Sequence, residues 1–332
     1  MYEMDITDFK TGNDSHKLSA GDRQWLQVEK QNTNDNSIYV DSEILKEEMN
    51  KWIYPLHFID FETSAVALPF TAGRRPYEQV AFQFSHHTVD INGNIEHKTQ
   101  YLNHKIGALP NFEFVRALKN ALENDNGTIF RFASHENSIL NSILNQLIDS
   151  KEDDKLELIS FIKSITNSTK DNADSWVGNR LMVDLKQVIV NCYYNPLTKG
   201  SNSIKYVLPA ILNSSNFLKY KYSKSLEDNN ISSLNFDPSH QWIYMEDGKV
   251  LNPYQRLPSL FNTWTKKEKA LTISELEDID NGGAALTAYA KLQYVDMIEE
   301  EREEIVNALY KYCELDTLAM VMIYEHFKYD FK

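Results

Sequence analysis

The apolar positions of this chain change period several times, and each change marks an element. After Pro55, the stretch Leu56-His-Phe-Ile-Asp-Phe-Glu-Thr63 is largely apolar, which predicts a buried strand over about His57–Glu62. Gln79 to Val89, rich in Val and Phe, predicts a second strand. Asn92-Gly93 is a hairpin turn, and Glu96 to Leu102 is the returning strand. Phe112 to Glu123 has the three-and-four spacing of an amphipathic helix and stops at Asn126-Gly127. Thr128 to Ala133 follows as a fourth strand, and Ser134 is placed to cap a helix reaching Ile148. A charged helix is expected near Leu156–Ile165. A fifth short strand at Leu181–Leu185 leads into helix through Val190, and another helix spans Ser203–Leu212 despite Pro209. From about Glu301 to Tyr329 the chain reads as one helix. Ile305, Leu309, Tyr312, Ala319, Met320, Ile323 and Phe327 form its buried stripe.

Two stretches break this rhythm. Residues 1–50 are polar, with a weak amphipathic patch at Leu18–Val28, a linker at Gln31–Asn36, and a short helix at Ser42–Trp52 with Ser42 as N-cap. They read as an N-terminal extension of a domain covering 51–332. Residues 213–280 read as an insertion. Within them, Lys219-Tyr-Lys-Tyr-Ser-Lys224 alternates Lys and Tyr. That pattern suits an edge strand with lysines facing water or a surface that holds phosphates and stacks bases. Three consecutive strands followed by alternating helices and strands predict an α/β fold: a mixed five-stranded sheet flanked by helices.

Composition sharpens the picture. The 332 residues are 42% hydrophobic and 12% aromatic, as in a globular protein. No apolar run approaches the ~18 residues of a membrane span, and the opening Met-Tyr-Glu-Met-Asp-Ile has no leader pattern. The two cysteines, Cys192 and Cys313, lack metal-site spacing. A cytoplasmic protein without a membrane partner is expected. The net charge of −14 argues against a protein that coats nucleic acid. It allows an enzyme that grips a few nucleotides and supplies its own cations. Asp296–Glu304, with six acids and one Arg, sits where a helix dipole favours negative charge.

The candidate chemistry lies at the two ends of this domain. Asp60 and Glu62, two apart on a strand, project from one face. Two carboxylates on an apolar strand need neutralisation, and hard divalent cations take carboxylate oxygens. Asp316 falls inside the buried stripe of the last helix, one turn after Tyr312. Glu136 stands in the first turn of the helix after the fourth strand, and Asp184 stands at the end of the fifth.

Asp60-x-Glu62 and Tyr312-x-x-x-Asp316 resemble the first and third motifs of the DEDD superfamily of 3′–5′ exonucleases, in their DEDDy form. Those enzymes have a ribonuclease H-like fold. In the second motif Glu136 stands in the Asp slot, His135 in the Phe slot and Phe132 in the Asn slot. More narrowly, Asp60-Phe-Glu-Thr, Arg75-Pro-Tyr, Phe82-Gln-Phe-Ser, Ser203-Ile-Lys, Gly282-Gly-Ala-Ala and Tyr312-Cys-x-x-Asp-Thr-x-Ala-Met320 resemble an uncharacterised bacterial domain family within that superfamily. The resemblance covers about 52–212 and 280–330. It implies two divalent cations, Mg²⁺ or Mn²⁺, held by Asp60, Glu62, Glu136 and Asp316, with Tyr312 orienting water. Asp184 is the rival fourth carboxylate. The implied reaction is phosphodiester hydrolysis at a single-stranded 3′ end of DNA or RNA. Arg74 and Arg75, on the loop after the first motif, and Lys205, at a helix start, are the implied phosphate contacts. Gly282 and Gly283 allow close approach of substrate or a tight helix entry.

Overall fold

The computed structural model describes residues 18–169, 175–269, 271–274, 276 and 278–331. Residues 1–17, on which the reading of the leader rests, lie outside these. Near the N-terminus come α1 (Ala20–Thr33), β1 (Tyr39–Val40) and α2 (Ser42–Met49). The central part runs β2 (Leu56–Ser64), β3 (Val80–Val89), β4 (Ile95–Leu102), α3 (Asn111–Leu122), β5 (Ile129–Arg131), α4 (His135–Ile148) and α5 (Lys155–Ile165). A two-stranded ribbon, β6 (Asn167–Ser168) with β7 (Trp176–Val177), precedes β8 (Val183–Asp184), α6 (Leu185–Cys192) and β9 (Tyr193–Tyr194). Then follow α7 (Ile204–Ser214), α8 (Asn216–Tyr222), β10 (Ile231–Ser232) and the ribbon of β11 (Met245–Glu246) with β12 (Lys249–Val250). The chain closes with α9 (Lys266–Lys269), α10 (Gly282–Tyr294) and α11 (Glu299–Asp330).

The protein is α/β, with a mixed sheet in the order β10-β4-β3-β2-β5-β8. β2, β3 and β4 form an antiparallel meander in which the Asn92-Gly93 turn joins β3 to β4. β5 and β8 run parallel to β2 on its other side. The five expected strands are all present. A sixth, β10, pairs in parallel with β4 and comes from the segment read as an insertion. Two residues carry too little periodicity to be seen in sequence.

Helices cover both faces. Ile59, Phe61 and Phe84 point to one apolar cluster with α3, α4 and α5. Leu56, Phe58 and Phe82 point to the other, built on α7, α10 and α11. By strand alternation, Asp60 and Glu62 share the second face. α11 lies across it and is held in rotation by polar ties. Gln83 Nε2 donates to the Leu309 carbonyl at 2.8 Å, and Thr317 Oγ1 meets Ser85 Oγ and His87 Nδ1 at 2.8 Å each. His97 Nδ1 pairs with Glu314 Oε2 at 3.0 Å, both buried.

Three local expectations are corrected. Asp41, not Ser42, caps α2; its carboxylate accepts from Ile44 N at 3.0 Å. Ser134 already has helical backbone angles, so its hydroxyl makes no cap to α4. Lys219–Tyr222 is helix, not edge strand. Leu218 and Tyr222, one turn apart, are buried, and Lys221 pairs with Glu325 at 2.6 Å. Residues 213–280 also send Trp242, Ile243 and Tyr254 into the core around α11. At the N-terminus, α1 is anchored by buried Arg23, whose guanidinium donates to the Tyr193 carbonyl at 2.6 Å. β1 pairs with β9.

Candidate metal centre

One cavity of about 420 Å³ gathers Asp60, Glu62, Glu136, Asp316, Tyr312 and Lys205. Four elements supply them. β2 supplies Asp60, half-buried, and Glu62, buried. The β2–β3 register shifts between Glu62 and Thr63. Such bulges re-aim side chains beside functional sites. α11 supplies Tyr312 and Asp316 from its buried stripe, in line with their one-turn spacing. α4 supplies Glu136 from its first turn, and α7 supplies Lys205 from its own.

The turn between β5 and α4 is built to send Glu136 inward. Ala133 there has φ +78°, a left-handed conformation that costs an L-residue ~1 kcal/mol or more. Its N–H donates to Asp184 Oδ1 at 3.1 Å, and its carbonyl accepts from the Arg131 guanidinium. Asp184 also caps α6 through Gln187 N at 3.1 Å and faces Arg131 at 3.5 Å. It does not line the cavity. Of the two rival carboxylates, Glu136 stands with Asp60, Glu62 and Asp316, and Asp184 braces the turn behind it.

Electrostatically the site is overloaded with negative charge. Burial, and then the neighbouring carboxylates, push Asp60 and Glu62 well above the usual carboxylate range. Burial raises Glu136 to about 8. Its Oε2 is buried with no hydrogen-bond partner. Asp316 is raised by burial but partly restored by Lys205 and by phenol hydrogen bonds. Among the described residues lining the cavity, Lys205 is the sole ammonium. Its Nζ donates to Tyr312 Oη and to the Asp280 carbonyl, both at 2.8 Å. It sits over two rings, 4.9 Å from Tyr254 and 4.7 Å from Tyr312.

The donor set suits hard divalent cations. It offers carboxylate oxygens from three elements, one with no partner, and one ammonium to offset them. Cys313 Sγ also falls within 4.8 Å of the ligand atoms of Asp60 and Glu62. Burial holds that thiol protonated, and it leans on the Asp60 carbonyl at 3.7 Å, so the carboxylates are the fitting ligands.

The cavity wall is apolar at Phe132, Ile204 and Leu286. His135 lines it too and bonds Thr63 Oγ1 through Nε2 at 3.0 Å. Gly282 and Gly283 open α10 at the rim. A Cβ added at Gly282 would meet nothing within 4 Å, so glycine leaves open space there and is not required by packing. Arg74 and Arg75 are not brought to the cavity. Arg74 pairs with Glu78 at 3.2 Å, and Arg75 is exposed on the loop.

Sequence reasoning missed one residue, Tyr254. It comes from a short 3-10 turn at Pro253–Arg256, is buried, and donates its hydroxyl to Asp316 Oδ1 at 2.5 Å. No periodic signal surrounds it.

No helix of the described residues is long and apolar enough to cross a membrane. Neither the curated proteins nor the solved structures contain a match to the chain. A family model described as a domain of unknown function (DUF2779) matches residues 57–203, a span similar to this chain over Asp60, Glu62, Glu136 and Asp184 and ending before Lys205, Tyr312 and Asp316.

Proposed function

We propose that this protein is a metal-dependent 3′–5′ exonuclease of ribonuclease H-like fold that hydrolyses phosphodiester bonds of DNA or RNA. The observation that carries the reading is the meeting of Asp60, Glu62, Glu136 and Asp316 with Tyr312 in one open cavity. The sheet supports it as well: three consecutive strands followed by alternating helices and strands in one mixed sheet are compatible with the ribonuclease H-like fold that the resemblance implies.

Asp60, Glu62, Glu136 and Asp316 would hold two divalent cations, Mg²⁺ or Mn²⁺. When bound, such cations polarise the scissile phosphate and acidify an attacking water. Tyr312 keeps its proton, because burial and the surrounding carboxylates push its phenol far up. It therefore orients water and does not serve as a base. Lys205 holds Tyr312 by its oxygen and offers positive charge to a phosphate. Phe132, Ile204 and Leu286 give a nucleoside an apolar wall. Arg74 and Arg75 would meet the strand only outside the cavity.

One observation favours a second reading. The Lys205 ammonium already offsets part of the upward shift that burial imposes on Asp60, Glu62 and Asp316. In a catalytically impaired nuclease-fold module that binds nucleic acid or protein, it would stand in for a cation. Mn²⁺ titration followed by calorimetry, paired with cleavage of linear and circular single strands, separates the readings. The exonuclease binds Mn²⁺ and degrades only the linear strand. The impaired module cleaves neither.

A further inference from the structure

Tyr254 stands behind the cavity lining and reaches Asp316 from the middle segment of the chain. Asn252 caps its turn by accepting from Tyr254 N at 3.2 Å, and Pro253 stiffens it. The ring is buried, with Lys205 Nζ 4.9 Å from its centroid. The hydroxyl donates to Asp316 Oδ1 at 2.5 Å.

We infer that Tyr254 is a positioning residue of the metal centre: its hydroxyl pins Oδ1 of Asp316, and so fixes which way that carboxylate faces the cavity. This rests on the metal-binding reading above. The geometry supports it in two ways. Asp316 sits on a long helix whose rotation is already tied to the sheet, so its remaining freedom is about its own side-chain torsions. Tyr254 restrains that freedom with a short hydrogen bond, 2.5 Å, which becomes charge-assisted when Asp316 is ionised at a metal. Partners that orient a ligand in this way tune metal affinity at one remove. The middle segment thereby contributes to the site, and not merely to the core.

The test compares Mn²⁺ binding, by electron paramagnetic resonance of free Mn²⁺, in four full-length proteins: wild type, Tyr254→Phe, Asp316→Asn and Tyr222→Phe. Tyr222 is the matched control. It is a buried phenol that donates to a carboxylate, Glu325 Oε2, at 2.7 Å, and that carboxylate, unlike Asp316, does not line the cavity. Tyr254→Phe keeps the ring and should weaken Mn²⁺ binding about tenfold, the effect of losing one hydrogen bond to a charged group. Tyr222→Phe should lower the melting temperature and leave Mn²⁺ affinity unchanged. The inference is overturned if Tyr254→Phe binds as wild type does, or if Tyr222→Phe weakens binding equally. If Asp316→Asn also binds as wild type does, the ligand assignment itself fails, and the inference fails with it. Tight Mn²⁺ binding by wild type without strand cleavage would remove the nuclease reading alone.

Discussion

Replacing Glu136 with glutamine should make the metal-free protein more stable at alkaline pH. Glu136 is 2% exposed, its Oε2 has no partner, and burial raises its pKa from 4.5 to about 8. Between those values the folded state holds a proton that the unfolded chain has released. Stability therefore falls as pH rises through this window, and no penalty exists below it. Integrated to pH 8, the penalty is on the order of 4 kcal/mol for a single group. Glutamine has the shape of the protonated acid and carries no charge, so the variant escapes the penalty. For 332 residues the unfolding entropy is roughly 0.7 kcal/mol/K, so the difference corresponds to about 6 °C. Calorimetry with a chelator at pH 5 and pH 8 reads it directly. The Glu136→Gln melting temperature should lie close to wild type at pH 5 and about 6 °C above it at pH 8. Adding Mn²⁺ at pH 8 should then raise wild type more than the variant. A difference that is the same at both pH values, or a variant less stable than wild type at pH 8, would refute the account of a strained, negatively charged pocket.

Other consequences can be measured separately. His97→Leu leaves buried Glu314 with Asn235 Nδ2 at 2.8 Å but without its tie to β4. It should destabilise the protein by roughly 1–3 kcal/mol in urea unfolding, and a loss under about 0.5 kcal/mol would contradict the tie between α11 and β4. Gly282→Leu fills open space at the rim. It should leave the melting temperature within about 1 °C of wild type while raising KM for an oligonucleotide; an unchanged KM would remove α10's N-terminus from the substrate path. Asp184→Ala removes the acceptor of the Ala133 and Gln187 N–H groups and should lower stability by about 1–2 kcal/mol, yet retain metal-dependent turnover. Loss of Mn²⁺ binding in that variant would instead make Asp184 a ligand.

The parts of the site that sequence made legible are those carried by regular periods. Asp60 and Glu62 share a face because a strand repeats every two residues, and Asp316 declares itself as an acid inside a helical stripe. Sequence preferred Glu136 to Asp184 by its motif slot alone, since a carboxylate at a strand end serves equally as ligand or cap. Only the packing of β5 against β8 shows Asp184 bound to the Ala133 turn. The alternation of Lys219–Tyr222 imitates a strand, but burial of Leu218 and Tyr222 on one side makes it helix. Tyr254 and β10 were invisible for the same reason. Each comes from a stretch with no period of its own, placed by long-range contacts that local pattern does not encode.

The most direct measurement is incubation of the purified protein with 5′-labelled single-stranded DNA and RNA, with Mg²⁺, Mn²⁺ or chelator, beside Asp60→Ala. The account predicts a metal-dependent ladder shortening from the 3′ end of at least one of the two strands, absent with chelator and absent in the variant. Intact strands under every condition, or a ladder that survives in Asp60→Ala, would contradict it.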